Sequence, residues 1–491
     1  MEGFDNKKYV KIQSKKIKER FKLFDKLYIE VGGKLFDDHH AERVLPGFKP
    51  DSKINMFLEL KKDCEILLCI NANDIEKSKV RQDLGITYDR ELLRLIDNLR
   101  NLGFTVNNVV ITLYTNQLGI DKFIKKLELN NIKAYIHTPT LGYPTDVDTI
   151  VSESGYGANP YIETTKKIVL VNAPGPCSGK LATCLSQLYH EHKRGINAGY
   201  AKFETFPVWD LSLKHPVNIA YEAATADLKD VNMIDPFHLE KYNVIATNYN
   251  RDIEVFPVLK DILHKITNSD IYNSPTDMGV NVIGECIKNN NVVIEASKKE
   301  IVRRYFNELK DYKLGKKSKD TSERIKLLMN ELNIDINYLP IRTKALEYRD
   351  LKGMHYASIQ INKRKIILGK DNDIFTPISG TIINAIKDLA NIPDSIKLIP
   401  SNFLESIFKV RPNNINTQDK KLQLSEVLIA LSICSVTNPA IEKALNELPK
   451  LKGMDLYVTY IISNEEIKTL NNLEINVICE PEFYSDNTFI Y

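Results

Sequence analysis

Six consecutive residues in the middle of the chain, Gly175, Pro176, Cys177, Ser178, Gly179 and Lys180, combine the parts needed to hold an oxyanion. Glycine lets a backbone come close to a ligand and enter the left-handed region, so that successive N–H groups converge on one place. A helix beginning at Lys180 would add about half a positive charge from its N-terminal end, and the lysine head a mobile whole charge. Upstream, residues 167–172 read Lys-Ile-Val-Leu-Val-Asn, the composition of a buried strand. Downstream, Leu181, Cys184, Leu185, Leu188 and His192 fall on one helical face.

A strand, a glycine-rich turn and a helix start in this order resemble a Walker A loop, whose lysine reaches the terminal phosphates of a nucleotide. Two positions depart from that pattern: Pro174 stands where it has its first glycine, and Leu181 where it has the magnesium-binding hydroxyl. Leucine cannot ligate a metal, so Ser178 or Thr183 would have to substitute, or the metal is held elsewhere or absent. The turn predicts a site for a nucleotide or small phosphorylated molecule, with Mg²⁺ as an open companion, built from Gly175, Ser178, Gly179, Lys180 and Thr183. Another anion, or a purely structural connection, stays open as an alternative.

Further polar groups have the types that phosphoryl transfer uses. Asn248-Tyr-Asn-Arg-Asp follows an apolar run, so Arg251 would clamp a phosphate or neutralise developing charge while Asp252 orients an acceptor; a buried Arg-Asp tie is the competing reading. Asp277, in Ser274-Pro-Thr-Asp, is a third candidate, with Thr276 or Asp277 otherwise expected as an N-cap. Asp37, His39 and Asp146 supply a metal-dependent hydrolase reading. His190 and His192 lie about 200° apart on a helix and cannot clasp one ion. Lys202, Phe203, Glu204, Phe206 and Trp209 offer either an aromatic wall or ordinary core.

These groups need elements to position them. Apolar runs bounded by turn residues occur at 27–31, 65–70, 107–113, 132–136 and 167–172, with helical patterns at 89–102 and 119–129 between them. The alternation predicts an α/β fold with a mostly parallel sheet, P-loop-like or Rossmann-like, whose ligands gather at the carboxyl ends of the strands. Residues 1–315 would form this nucleotide-binding-like domain, 316–350 a helical connector and 351–491 a smaller C-terminal α/β domain. In the last, 355–368 reads as a hairpin turning at Asn362 to Arg364, Thr376-Pro377 as a helix N-cap and first turn, and 412–421 as a polar loop. A helix-helix-strand-helix-strand unit would follow that loop.

Composition limits the partners. With 43% hydrophobic and 27% charged residues in 491, the chain has ample core and no disordered character. Lys plus Arg number 67 against 64 Asp plus Glu, too even a balance for a nucleic-acid or membrane partner drawn by net charge. No run reaches the length of a spanning helix and the first residues do not read as a signal peptide, so a cytoplasmic location is expected. Seven scattered cysteines form neither a disulfide framework nor a zinc knuckle.

The run from Ala173 to Gly195, together with Gly32-Gly-Lys-Leu-Phe-Asp-Asp, Asn71-Ala-Asn-Asp-Ile-Glu-Lys, Tyr200-Ala-Lys-Phe-Glu-Thr-Phe-Pro and Ala223-Ala-Thr-Ala-Asp-Leu, resembles a bacterial family of uncharacterised proteins, a domain of unknown function. Asn248-Tyr-Asn-Arg-Asp-Ile-Glu and Ser274-Pro-Thr-Asp-Met-Gly-Val-Asn are similar to it as well, so the likeness covers nearly the whole chain. The resemblance implies a nucleotide-binding-like N-terminal domain, a helical insert and a C-terminal portion similar in topology to cytidine deaminases, with Cys177 where relatives would carry glycine. It implies no activity. No Pro-Cys-x-x-Cys is present, so deaminase chemistry is not expected; nor are Gly-x-Ser-x-Gly and His-Glu-x-x-His. Phosphoryl or nucleotidyl transfer is the first expectation, and a non-catalytic, nucleotide-responsive oligomeric protein the second, which Leu181 favours.

Overall fold

The computed structural model describes residues 2–81, 85–204, 206–361, 365–410 and 421–485. The chain packs as two compact units, Met1–Ser297 and Lys298–Tyr491.

The first unit is built on six strands: β1 (Lys26–Val31), β2 (Cys64–Asn71), β3 (Thr105–Thr112), β4 (Lys133–Ile136), β5 (Ile168–Asn172) and β6 (Ala198–Phe203). All neighbours are parallel, in the spatial order β4-β3-β2-β5-β1-β6. Parallel strands covered on both faces need continuous apolar sequence. Cys-Glu-Ile-Leu-Leu-Cys-Ile in β2 is buried throughout, as is Ile-Val-Leu-Val-Asn in β5. Each fully buried Leu, Ile or Val contributes about 1.5–3 kcal/mol of transfer free energy.

Five of these strands coincide with the apolar runs. Strand β6 does not announce itself in sequence, because Gly199 and Lys202 interrupt it; it forms because a full ladder with β1, from Lys26↔Ala198 to Val31↔Phe203, satisfies its backbone. Helices α1 (Asn6–Phe21), α2 (Tyr88–Asn101), α3 (Ile120–Leu129), α4 (Lys180–Lys193) and α5 (Asn250–Thr267) belong to the same unit. In α2 the residues Tyr88, Leu92, Leu95, Ile96 and Leu99 are buried, the spacing that marked it as amphipathic. Helix α4 packs on β1, β5 and β6, and α5 packs on α4.

Strand order decides where a ligand can sit. From β2 the chain moves outward to β3 on one side, and from β5 to β6 on the other, although β2 and β5 are neighbours. Loops leaving adjacent strands in opposite directions open a crevice at the carboxyl edge. The turn 173–179 rises there.

The second unit holds a four-stranded mixed sheet of β7 (Tyr356–Gln360), β8 (Ile366–Lys370), β9 (Asp455–Val458) and β10 (Asn476–Cys479), in the order β8-β7-β9-β10. The hairpin β7-β8 is antiparallel, and its turn, Asn362 to Arg364, lies outside the described residues, as does the polar loop 412–421 except Lys421. The helix-helix-strand-helix-strand order of the C-terminal stretch is present. Thr376 caps helix α6 (Pro377–Leu389), accepting from the Ser379 N–H at 3.3 Å, with Pro377 in the first turn. Among the described residues no helix is long and apolar enough to cross a membrane.

Candidate functional site

In the turn after β5 the left-handed residues are Cys177 and Gly179, while Gly175 is not left-handed. Pro174 and Pro176 carry no N–H and keep the chain out of helix until Lys180. Cys177 has φ +53° and Gly179 φ +77°, both left-handed, with Ser178 between them. Among the described residues, no hydrogen-bond acceptor takes the backbone N–H of Gly175, Cys177, Ser178, Gly179, Lys180, Leu181 or Ala182.

Neighbouring strands hold this shape. The Asn71 amide at the end of β2 donates to Cys177 O at 3.2 Å, and Thr112 Oγ1 at the end of β3 donates to Ser178 O at 2.8 Å. These bonds occupy the carbonyls of Cys177 and Ser178. Thr183, expected as a ligand contact, is fully buried; its hydroxyl donates to Gly179 O at 3.0 Å and braces the turn from beneath. A Cβ on Gly175 would lie 2.6 Å from the Tyr88 ring, so glycine is required for the first residue of α2 to pack against the turn.

Two buried side-chain atoms here have no hydrogen-bond partner among the described residues: Ser178 Oγ, on a residue 3% exposed, and Asn172 Oδ1, at 2%. An unpaired buried polar atom costs about 1–3 kcal/mol, which a ligand or water would recover. Lys180 is half-buried at the first position of α4. The thiols beneath it are inert: burial pushes Cys69 up to about 12 and Cys184 well above its usual range, with Lys180 acting to lower both.

An ionic cluster lies along the same edge, on β1 and β6. Glu30 and Lys202 are register partners, and Glu30 is also the partner of Val171 in the strand that feeds the turn. Register partners in parallel strands share a face. Glu30 accepts from Tyr200 OH at 2.7 Å. Lys202 Nζ lies 2.8 Å from Asp252 Oδ2 and 3.0 Å from Glu204 Oε2. Burial works against the Lys202 charge, yet Asp252, Glu204 and Glu30 outweigh it and hold the ammonium above its ordinary range. Burial raises Glu204, with Lys202 opposing. Gly32 admits this arrangement, since a Cβ there would lie 2.0 Å from Glu204 Cγ.

The three expected catalytic groups are placed as follows. Arg251 Nε contacts Asp230 Oδ1 at 3.3 Å, so the arginine pairs with Asp230, while its sequence neighbour Asp252 pairs with Lys202. Asp277 accepts from Tyr242 OH at 2.9 Å and from Asn273 N at 3.0 Å. The N-cap of its short helix is Ser274, not Thr276 or Asp277. Asp37, His39 and Asp146 bind different partners: Arg94 at 3.4 Å, Glu42 at 3.0 Å and the N-terminus of Val147–Ile150 through Thr149. Among the described residues no three His, Cys, Asp or Glu side chains gather as a metal cluster. His190 and His192 bond to the carbonyls of Asn159, at 2.7 Å, and Ala198, at 2.9 Å. Phe203 and Phe206 are core residues, and Trp209 donates to Asn281 O at 3.0 Å. A cavity of about 450 Å³ lined by Val147, Asp261, His264, Lys265 and Asn268 includes none of the turn residues.

Sequence reasoning missed Asn71, Thr112 and Glu30. Each stands at or next to the last position of its strand, and a polar residue closing an apolar run is the signal that could have singled them out.

Residues 2–333 match a family model described as "Domain of unknown function DUF1846, N-terminal", and residues 337–489 the corresponding C-terminal model. A UPF0371 protein of Clostridium botulinum (strain Eklund 17B / Type B) is 52% identical over 99% of both chains. UPF0371 proteins of the Alaska E43 and Langeland strains are 52% and 51% identical over the same shares.

Proposed function

Since the chain belongs to the DUF1846 family, a kinship that carries no named reaction, we propose from the site itself that this protein binds a nucleotide or phosphorylated metabolite at residues 175–180. The observation that supports the reading is the run of backbone N–H groups without acceptors among the described residues, with a buried Ser178 hydroxyl without a partner and Lys180 at the same helix start. In this reading the N–H groups of the turn and Lys180 hold phosphate oxygens, and the α4 N-terminus stabilises their charge.

Phosphoryl or nucleotidyl transfer is the chemistry such a site supports, because it consists of positioning and charge neutralisation. With Leu181 in the usual hydroxyl position, Glu30, beside the turn strand, and the Ser178 hydroxyl are the groups that would hold Mg²⁺. Arg251 and Asp252 would act on transferred groups only after leaving their present ion pairs, which favours a second reading, ligand binding without turnover.

Thermal-shift and calorimetric titration with pyrophosphate, ATP and sugar phosphates, with and without Mg²⁺, test the proposal. At least one of these anions is expected to raise the melting temperature, and Lys180→Ala to weaken its binding by at least about tenfold. Metal-enhanced binding selects transfer, and metal-independent binding the second reading. The proposal falls if no phosphorylated compound shifts the melting temperature, or if Lys180→Ala responds like the wild type.

A further inference from the structure

The ionic cluster on β1 and β6 adjoins the glycine-rich turn. Glu30 shares a sheet face with its register partner Val171, in the strand that feeds the turn. Beyond burial itself, Glu30 raises and Lys180 lowers the same two thiols, Cys69 and Cys184, so both charges lie close to one place. Helix α4 starts at the turn, and α5, which carries Asp252 in its first turn, packs on it. Neighbouring strands lie about 4.8 Å apart, which sets β6, with Lys202, about 10 Å across the sheet from β5.

This cluster is deep and still open to solvent. Burial raises the Glu204 carboxyl and opposes the Lys202 charge, yet the Lys202, Glu204 and Asp252 side chains keep 19%, 24% and 22% of their surface exposed. Groups crowded by protein that still touch solvent line a recess. Each carboxylate spends one oxygen on Lys202 Nζ, Glu204 Oε2 at 3.0 Å and Asp252 Oδ2 at 2.8 Å. Among the described residues no donor reaches Glu204 Oε1 or Asp252 Oδ1.

Granted a phosphate at residues 175–180, we infer that the ligand is a phosphate ester of a polyol, whose hydroxyls lie on Lys202, Glu204 and Asp252. Hydroxyl groups both donate and accept, and this trio offers unspent carboxylate oxygens beside an ammonium donor. A second phosphate is disfavoured there: the cluster sets four carboxyls, Glu30, Glu204, Asp252 and Asp230, against two cations, Lys202 and Arg251. An apolar group would strip water from the carboxylates and return no hydrogen bond. A sugar ring carrying one phosphate spans the two strand spacings from the turn to Lys202.

Calorimetric titration of the full chain with methyl phosphate, glucose 6-phosphate, ribose 5-phosphate, ATP and 2′,3′-dideoxy-ATP tests this inference. At least one hydroxyl-bearing compound is expected to bind about tenfold or more tightly than its counterpart without hydroxyls, methyl phosphate or dideoxy-ATP. Glu204→Gln should cut that advantage to about twofold or less. An advantage confined to the sugar phosphates assigns a free sugar, and one confined to ATP assigns a nucleotide's ribose. Should Glu204→Gln fail to fold, Asp252→Asn gives the same readout, and the wild-type comparison needs no variant. The inference falls if methyl phosphate binds and hydroxyls add nothing, or if both variants keep the advantage. If no phosphorylated compound binds, the reading of residues 175–180 fails and takes this one with it.

Discussion

Thr112 holds the glycine-rich turn with both ends of its side chain. Its hydroxyl donates to Ser178 O at 2.8 Å, while its Cβ and Cγ2 fill the space a Cβ on Gly179 would enter, at 2.8 and 2.9 Å. Strand β3 and the turn are therefore one mechanical unit.

Gly179→Ala is expected to cost about 2 kcal/mol, from the left-handed φ and from displacing Thr112, and to weaken pyrophosphate binding at least about tenfold. Thr112→Val keeps the shape but strands the Ser178 carbonyl, a loss of about 1–3 kcal/mol. Urea melts and calorimetry check both; wild-type stability and affinity in the two variants would disprove this coupling.

Cys177→Gly goes the other way. A non-glycine residue at φ +53° carries about 1–2 kcal/mol of strain, and the glycine replacement gives back about 0.5–1 kcal/mol in unfolded-chain entropy. The variant should equal or exceed the wild type in stability by up to about 1 kcal/mol, with ligand response intact. A clear drop in the denaturation midpoint would mean that the Cys177 side chain makes an essential contact.

Lys202→Met removes the cation shared by Asp252 and Glu204. Breaking one side of a buried ion cluster costs about 3–5 kcal/mol. Burial already favours the neutral form of Glu204, so the loss should be greatest at neutral and alkaline pH and should shrink in acid, where protonation removes the uncompensated charge. A variant equally destabilised at pH 4.5 and pH 8 would contradict the electrostatic account.

In the second unit, burial raises the Glu466 carboxyl from 4.5 to about 7, while the Thr376 hydroxyl donates to it at 2.9 Å. Below pH 4.5 the acid is neutral in both folded and unfolded chains and costs nothing. Between pH 4.5 and 7 the unfolded chain loses the proton first, so stability falls as pH rises, by roughly 3 kcal/mol once pH is above 7. Glu466→Gln should flatten that slope and be the more stable form at pH 8. Parallel pH profiles of the two proteins would reject it.

Local chemistry made much of this legible. Five of six central strands, helices α2 and α3, the Thr376 cap and the strand-turn-helix order around 167–193 follow from apolar periodicity and from what glycine and proline do to a backbone. Arg251 and Asp252, adjacent in sequence, contact different counter-charges, Asp230 and Lys202. Nothing in Asn248-Tyr-Asn-Arg-Asp reveals which counter-charge folding will bring.

By itself the sequence determined the turn and the alternation of strands and helices, since both depend on contacts within a few residues. Only the tertiary structure decided that β5 enters between β1 and β2, and that Thr112 and Asn71, 66 and 106 positions away from their turn carbonyls, grip it. Hydrogen bonds between parallel strands use the same backbone groups whatever the side chains, so strand order, and with it the surroundings of the site, emerges from packing the whole sheet at once.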